Sequence, residues 1–143
     1  MPSLAAFVAL VLTAFSAPAL AGPPSCLQFE PAVSSIHGKL ERRTYPGPPN
    51  YEDIGQGDEA ETHWYVRLAE PICVDGKPGD EFNGQDVAGV RLIQLVLLHD
   101  EYKTHARLVG KQVKATGSLF TWLTGHHRTP VLLRVTRLER STR

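Results

Sequence analysis

The stretch TGHHRTPVLL, Thr124 to Leu133, sets two imidazoles side by side at His126 and His127 and follows them with the guanidinium of Arg128. Neutral imidazole ligates divalent cations, and its proton comes and goes near neutral pH. Gly125 and Pro130 bracket the group and predict a turn, in which neighbouring side chains can face one ligand. On a strand they would point to opposite faces. Three readings follow: the tip of a turn, a contact with a ligand or partner, and a catalytic pair. A structural zinc site uses three or four ligands at recognisable spacing, such as H-x3-H or C-x2-C. His37, His63, His99 and His105 are scattered and supply no such spacing. The metal reading therefore reduces to His126 and His127, with carboxylates brought from elsewhere in the chain.

The carboxylates nearest to hand lie in PGPPNYEDIGQGDEAE, Pro46 to Glu61, which carries Glu52, Asp53, Asp58, Glu59 and Glu61. An acidic loop is most often only solvated. Joined to the two histidines it could hold a divalent cation or serve a metal-dependent hydrolase, and that is the alternative function. Enzyme motifs are otherwise missing from the sequence: G-x-S-x-G, H-E-x-x-H, a Walker loop and G-x-G-x-x-G. Tyr45, Tyr51, Tyr65 and Trp122 could stack on a sugar or a base. The expectation is a binding protein with no catalytic residue and no cofactor.

Strands must position these loops. Val33 to Tyr45 alternates, with Ile36, Gly38 and Leu40 on one face and Ser35, His37, Lys39 and Glu41 on the other. Gly38 at mid-strand suggests a bend. Thr62 to Val74 repeats the alternation, with Trp64, Val66 and Leu68 inward, Tyr65 and Arg67 outward, and Pro71 at a frayed end. Val90 to Leu98 is almost continuously apolar and reads as a strand covered on both faces. Asp100 to Gly110 changes period: Asp100 can cap a short helix, Tyr102, Ala106 and Val109 share one face, and Gly110 stops it. Lys111 to Phe120 and Pro130 to Leu138 alternate again, burying Val113, Ala115, Gly117 and Leu119, then Val131, Leu133 and Val135.

Five strands with a helix between the third and fourth describe a mainly β, OB-like Greek-key barrel. In that topology the loop joining strands one and two shares one end with the loop joining strands four and five. Residues 46–61 and 124–130 then form one mouth. The contact residues expected there are His126, His127, Arg128, Tyr51, Glu52, Asp53, Tyr65 and Arg67. If the two imidazoles serve recognition, replacing both with Ala should leave stability nearly unchanged, whereas a double variant that unfolds would make them structural.

The ends of the chain speak to compartment. Residues 1–21 read as a signal peptide: an apolar run from Leu4 to Phe15, Pro18, then Ala19-Leu20-Ala21, with cleavage before Gly22. No Lys or Arg precedes the apolar run, which is also short for a membrane span of about 20 residues. Residues 22–143 then form a single domain, exported to the periplasm or medium, without stable membrane insertion and monomeric. The two cysteines, Cys26 and Cys73, both follow the cleavage point, and an exported pair most simply makes one disulfide. Fifteen basic and fifteen acidic residues cancel. That balance lacks the basic excess that nucleic-acid binding requires.

The segments GPPNYEDI, PICV, IQL, LVGKQVKATGSLF and TGHHRTPVLL, in this order, resemble an uncharacterised family of small exported bacterial proteins, the domain of unknown function 4431. The resemblance runs through nearly the whole chain after residue 21. It implies an exported protein of a Gram-negative bacterium built on an OB-like barrel, and it brings no catalytic residue. The partner expected is a cell-envelope protein or glycan.

Overall fold

The computed structural model describes residues 25–142. The expected signal peptide, residues 1–21, lies outside them. Six strands run in the order β1 (Leu27–Gln28), β2 (Val33–Pro46), β3 (Ala60–Asp75), β4 (Val87–Val96), β5 (Gln112–Thr121) and β6 (Val131–Arg140). One helix, α1 (His99–His105), lies between β4 and β5. The five expected strands are all present. β1 is additional, a two-residue strand too short to leave a periodic signal.

The sheet order is β1-β3-β2-β5-β6-β4, and β3 also pairs with β4. The strands therefore follow one another in a ring, thin where β4 meets β6 through three parallel residue pairs. β3 makes this possible by serving two partners. Ala60 to Leu68 pair with β2, while Trp64 to Val74 pair with β4. The register with β4 shifts between Arg67 and Ile72, so Pro71 sits in an irregular stretch within the strand rather than at its frayed end. Both mid-strand glycines stand where strands crowd. A Cβ on Gly38 would strike the carbonyl oxygen of Arg67, and one on Gly117 that of Arg134. Side chains cannot occupy those positions, and at Gly117 the register of β5 with β6 also shifts.

The inward rows form one core. Ile36, Leu40, Trp64, Val66, Ile93, Leu95, Val113, Ala115, Leu119, Val131 and Leu133 are all buried in it. Each large member contributes about 1.5–3 kcal/mol through removal from water. α1 closes one side through Tyr102, whose ring meets Trp64 edge-on at 5.3 Å. Asp100 does not cap this helix. The residue before it is Leu98, whose amide donates to the Glu101 carboxylate at 3.0 Å, and Asp100 sits in the first turn. The chain then tightens into a 3-10 turn, Ala106–Leu108, which buries Leu108.

Cys26 and Cys73 are disulfide-bonded with their Cα atoms 4.7 Å apart. The bond lies beside the parallel pairing of Leu27 with Val74, so it ties the incoming chain to the far end of β3. No helix among the described residues is long and apolar enough to cross a membrane.

Candidate recognition site

The outward face of the ring is not solvated everywhere. Register places Tyr65 beside Gln94, Gln94 beside Leu132, and Leu132 beside Phe120. All four are buried, in a row running across β3, β4, β6 and β5. What covers them is the turn between β5 and β6 together with the loop between β2 and β3.

The turn docks through Gln94. Its Nε2 donates to the His126 carbonyl at 3.0 Å, and its Oε1 accepts from the Arg128 amide at 2.6 Å. The Gln94 amide in turn donates to Thr129 Oγ1 at 3.1 Å, and that buried hydroxyl donates to the Val131 carbonyl. A glutamine in a covered strand needs such partners, because an unpaired buried amide costs about 1–3 kcal/mol.

The loop 46–61 is organised by Asp58. Its buried carboxylate accepts from the amides of Asn50, Glu52 and Asp53 and from the Asn50 side chain. Those amide bonds, Asp53 first, hold its pKa below the ordinary 3.8. Tyr51, within this grip, has φ of 62°, a left-handed conformation that non-glycine residues rarely adopt. The result is a ring aimed at the turn. A Cβ on Gly125 would come within 3.2 Å of Tyr51 Cζ, and the Tyr51 and His126 rings meet edge-on at 5.8 Å. A side chain at Gly125 would crowd the Tyr51 ring and oblige it to give by a few tenths of an ångström.

Glu61 joins the two loops. Its Oε1 receives His126 Nδ1 at 2.6 Å, His63 Nε2 lies 3.4 Å from Oε2, and Arg128 Nη2 lies 3.7 Å from Oε2. Burial pushes the Glu61 carboxyl upward, but hydrogen bonds from His126 and His63 outweigh it, and its pKa falls below the ordinary 4.5. Arg128 also donates to the Pro46 carbonyl and lies over the rings of Tyr45 and Tyr51, 5.4 and 5.5 Å from their centroids. Beneath it, Arg128 Nε and Tyr65 Oη are buried without a hydrogen-bond partner among the described residues.

The expected contact residues separate into those the mouth presents and those it does not. His126, half exposed, Tyr51 and Arg128 come together there. His127 turns the other way. Its Nδ1 accepts from the Leu123 amide at 2.9 Å, and its ring packs edge-on against Phe120 at 5.7 Å. Burial lowers its pKa from 6.5, with His126, His63 and Arg134 adding to the effect. It pins the turn, and the two adjacent imidazoles do not converge. Tyr65 faces outward as alternation requires, yet it is fully buried under Tyr45 and the Arg43 guanidinium. Arg67 is tied to Glu41 at 2.7 Å on the sheet face. Asp53 is spent on the local 3-10 turn, accepting from Gly55 and Gln56, while Glu52 is exposed with its amide on Asp58. Among the described residues no group of three or more His, Cys, Asp or Glu side chains is arranged to hold a metal ion.

Glu61, His63, Tyr45 and Gln94 also belong to the site: His63 and Gln94 are absent from the expected contacts, whereas Glu61 is one of the loop carboxylates expected to meet the histidines and Tyr45 one of the rings expected to stack. Two of them left a signal. Gln94 is the lone uncharged polar residue inside an apolar strand, and Glu61 shares a strand face with His63.

Comparison with curated proteins yields no match. The residues that match a known family cover one part of the chain, from β4 through β6, and so include Gln94, His126, His127 and Arg128 but not Tyr51, Asp58 or Glu61. Over residues 92–139 the chain matches the family model described as Domain of unknown function (DUF4431).

Proposed function

We propose that this is an exported, non-enzymatic binding protein built on an OB-like barrel, reading a cell-envelope protein or glycan at the mouth between residues 46–61 and 124–130. The strand order, the parallel β4–β6 pairing and a helix between β4 and β5 support the barrel assignment. The disulfide between Cys26 and Cys73 is compatible with an oxidising compartment.

One observation carries the functional reading: Glu61 holds His126 from the opposite loop beside Arg128 and a Tyr51 kept in a rare backbone conformation. Strained backbone persists where the surroundings over-determine it, and such places cluster at ligand clamps. Two buried donors below the mouth, on Tyr65 and Arg128, lack an acceptor among the described residues. The test is affinity capture from periplasmic extract with the wild-type protein and with His126→Ala and Tyr51→Ala. Capture that both variants abolish supports the reading. Capture unchanged by either variant, or hydrolytic turnover by the purified protein, counts against it.

A further inference from the structure

Next to the mouth three large apolar side chains stand in water: Phe82 at 60% exposure, Trp122 at 62% and Leu123 at 50%. Their backbones are nevertheless fixed. The Asp80 carboxylate accepts from the amides of Phe82 and Asn83, and the buried Asn83 side chain accepts from the Thr121 amide. Thr121 Oγ1 donates to the Phe82 carbonyl at 2.9 Å, which brings the loop bearing Phe82 against the end of β5, next to Trp122. Leu123 is held by His127. Side chains presented on fixed backbone lose little further freedom on binding, so their contacts are retained as affinity.

Resting on the reading above, we infer that Phe82, Trp122 and Leu123 are the stacking face of this mouth and that its ligand is an uncharged glycan. Size argues for it. The exposed apolar area of the three is on the order of 350 Å², large enough to be functional on a small protein. It is well below the roughly 800 Å² that each partner contributes to a standard protein interface, so a second copy of this chain does not suit it. One or two pyranose rings do, with their C–H faces on Trp122 and Phe82. Charge argues the same way. None of the three side chains is charged, the chain as a whole is neutral, and the guanidinium of Arg128 in the mouth lies beside the Glu61 carboxylate, so no excess of positive charge selects a polyanion. Glu81, Thr124 and His126, all exposed and adjacent in sequence or turn, offer acceptors and donors to ring hydroxyls.

The chain has two tryptophans, Trp122 in water and Trp64 buried at 5% exposure, so emission shifts on ligand addition report Trp122. The probes are hexasaccharides of β-1,4-N-acetylglucosamine, β-1,4-glucose and α-1,4-glucose. At least one should produce a saturable blue shift. Trp122→Ala and Phe82→Ala, both surface changes, should keep the wild-type circular dichroism and weaken binding about tenfold by calorimetry. Silence from all three sugars, or equal affinity of Trp122→Ala, overturns the inference. His126→Ala separates it from the reading on which it rests. Loss of sugar binding there supports both. Sugar binding that depends on Trp122 but not on His126 supports the stacking face and contradicts the mouth.

Discussion

His126 Nδ1 lies 2.6 Å from Glu61 Oε1 although 65 residues separate them in sequence. The contact exists because β3 begins where the turn after β5 folds back over Gln94. A carboxylate at the first and an imidazole at the second therefore bridge two loops that the sheet topology brings to one end. His127, one residue further on, has a different task, and the difference is measurable.

Replacing His127 with Ala removes the acceptor for the Leu123 amide and the ring packed on Phe120. The expected loss is about 1–2 kcal/mol in urea unfolding. His126→Ala removes a half-exposed contact with Glu61, worth less than about 1 kcal/mol. The reverse order of costs contradicts the assignment of roles.

Acid should weaken the fold in two stages. His127 has a folded pKa below its ordinary 6.5, chiefly through burial, so the unfolded chain takes up that proton first. Its contribution is full above about 6.5 and is lost as pH falls from there toward the folded value. Asp58 and Glu61 are held below 3.8 and 4.5, Asp58 by backbone amides and Glu61 by its histidines against burial. Their contribution is present above those values and is lost as pH falls through the lower folded ones. Urea midpoints from pH 8 to pH 3 check this against His127→Gln, which removes the first stage. A wild-type advantage over that variant that is constant between pH 7 and pH 5 speaks against it.

Asp58→Ala should release the loop it organises without disturbing the ring. Amide exchange at Asn50, Glu52 and Asp53, the three donors to that carboxylate, is expected to rise sharply. Protection in β5 should stay as in the wild type. Unchanged protection at those three amides would show that Asp58 does not hold the loop.

The strands were legible because one face of each is buried, and burial writes a period of two into the residues: Ile36, Gly38 and Leu40 alternate, and so do Val113, Ala115 and Leu119. The shared end of the two loops followed from topology. What alternation could not reveal was that part of the outer face is also covered, so Tyr65 was expected in the open and is buried. Nor could it assign directions to His126 and His127. A turn frees side chains from any period, and their roles depend on Glu61 and Phe120, which are distant or out of phase in sequence. Asp100 looked like a helix cap by residue type, but the Glu101 carboxylate binds the Leu98 amide and the helix begins earlier.

The disulfide should matter for stability because it closes a long segment, Cys26 to Cys73, with a separation of 47 residues. The chain-entropy account gives about 4 kcal/mol for a loop of that size. The Cys26→Ser, Cys73→Ser double variant should unfold at correspondingly lower urea. Intact mass after alkylation with and without reductant checks the bond itself, and two freely alkylated thiols in the unreduced protein would rule it out.

The claim on which the functional account depends most is that the loops 46–61 and 124–130 form one mouth, with Tyr51 against the turn. Nuclear Overhauser contacts from the Tyr51 ring measure it directly. The account predicts cross-peaks from that ring to the Gly125 α-protons and to the His126 ring, since the Tyr51 ring lies close against Gly125 and the two rings meet edge-on at 5.8 Å. A Tyr51 ring whose contacts stay within residues 46–61 would contradict it.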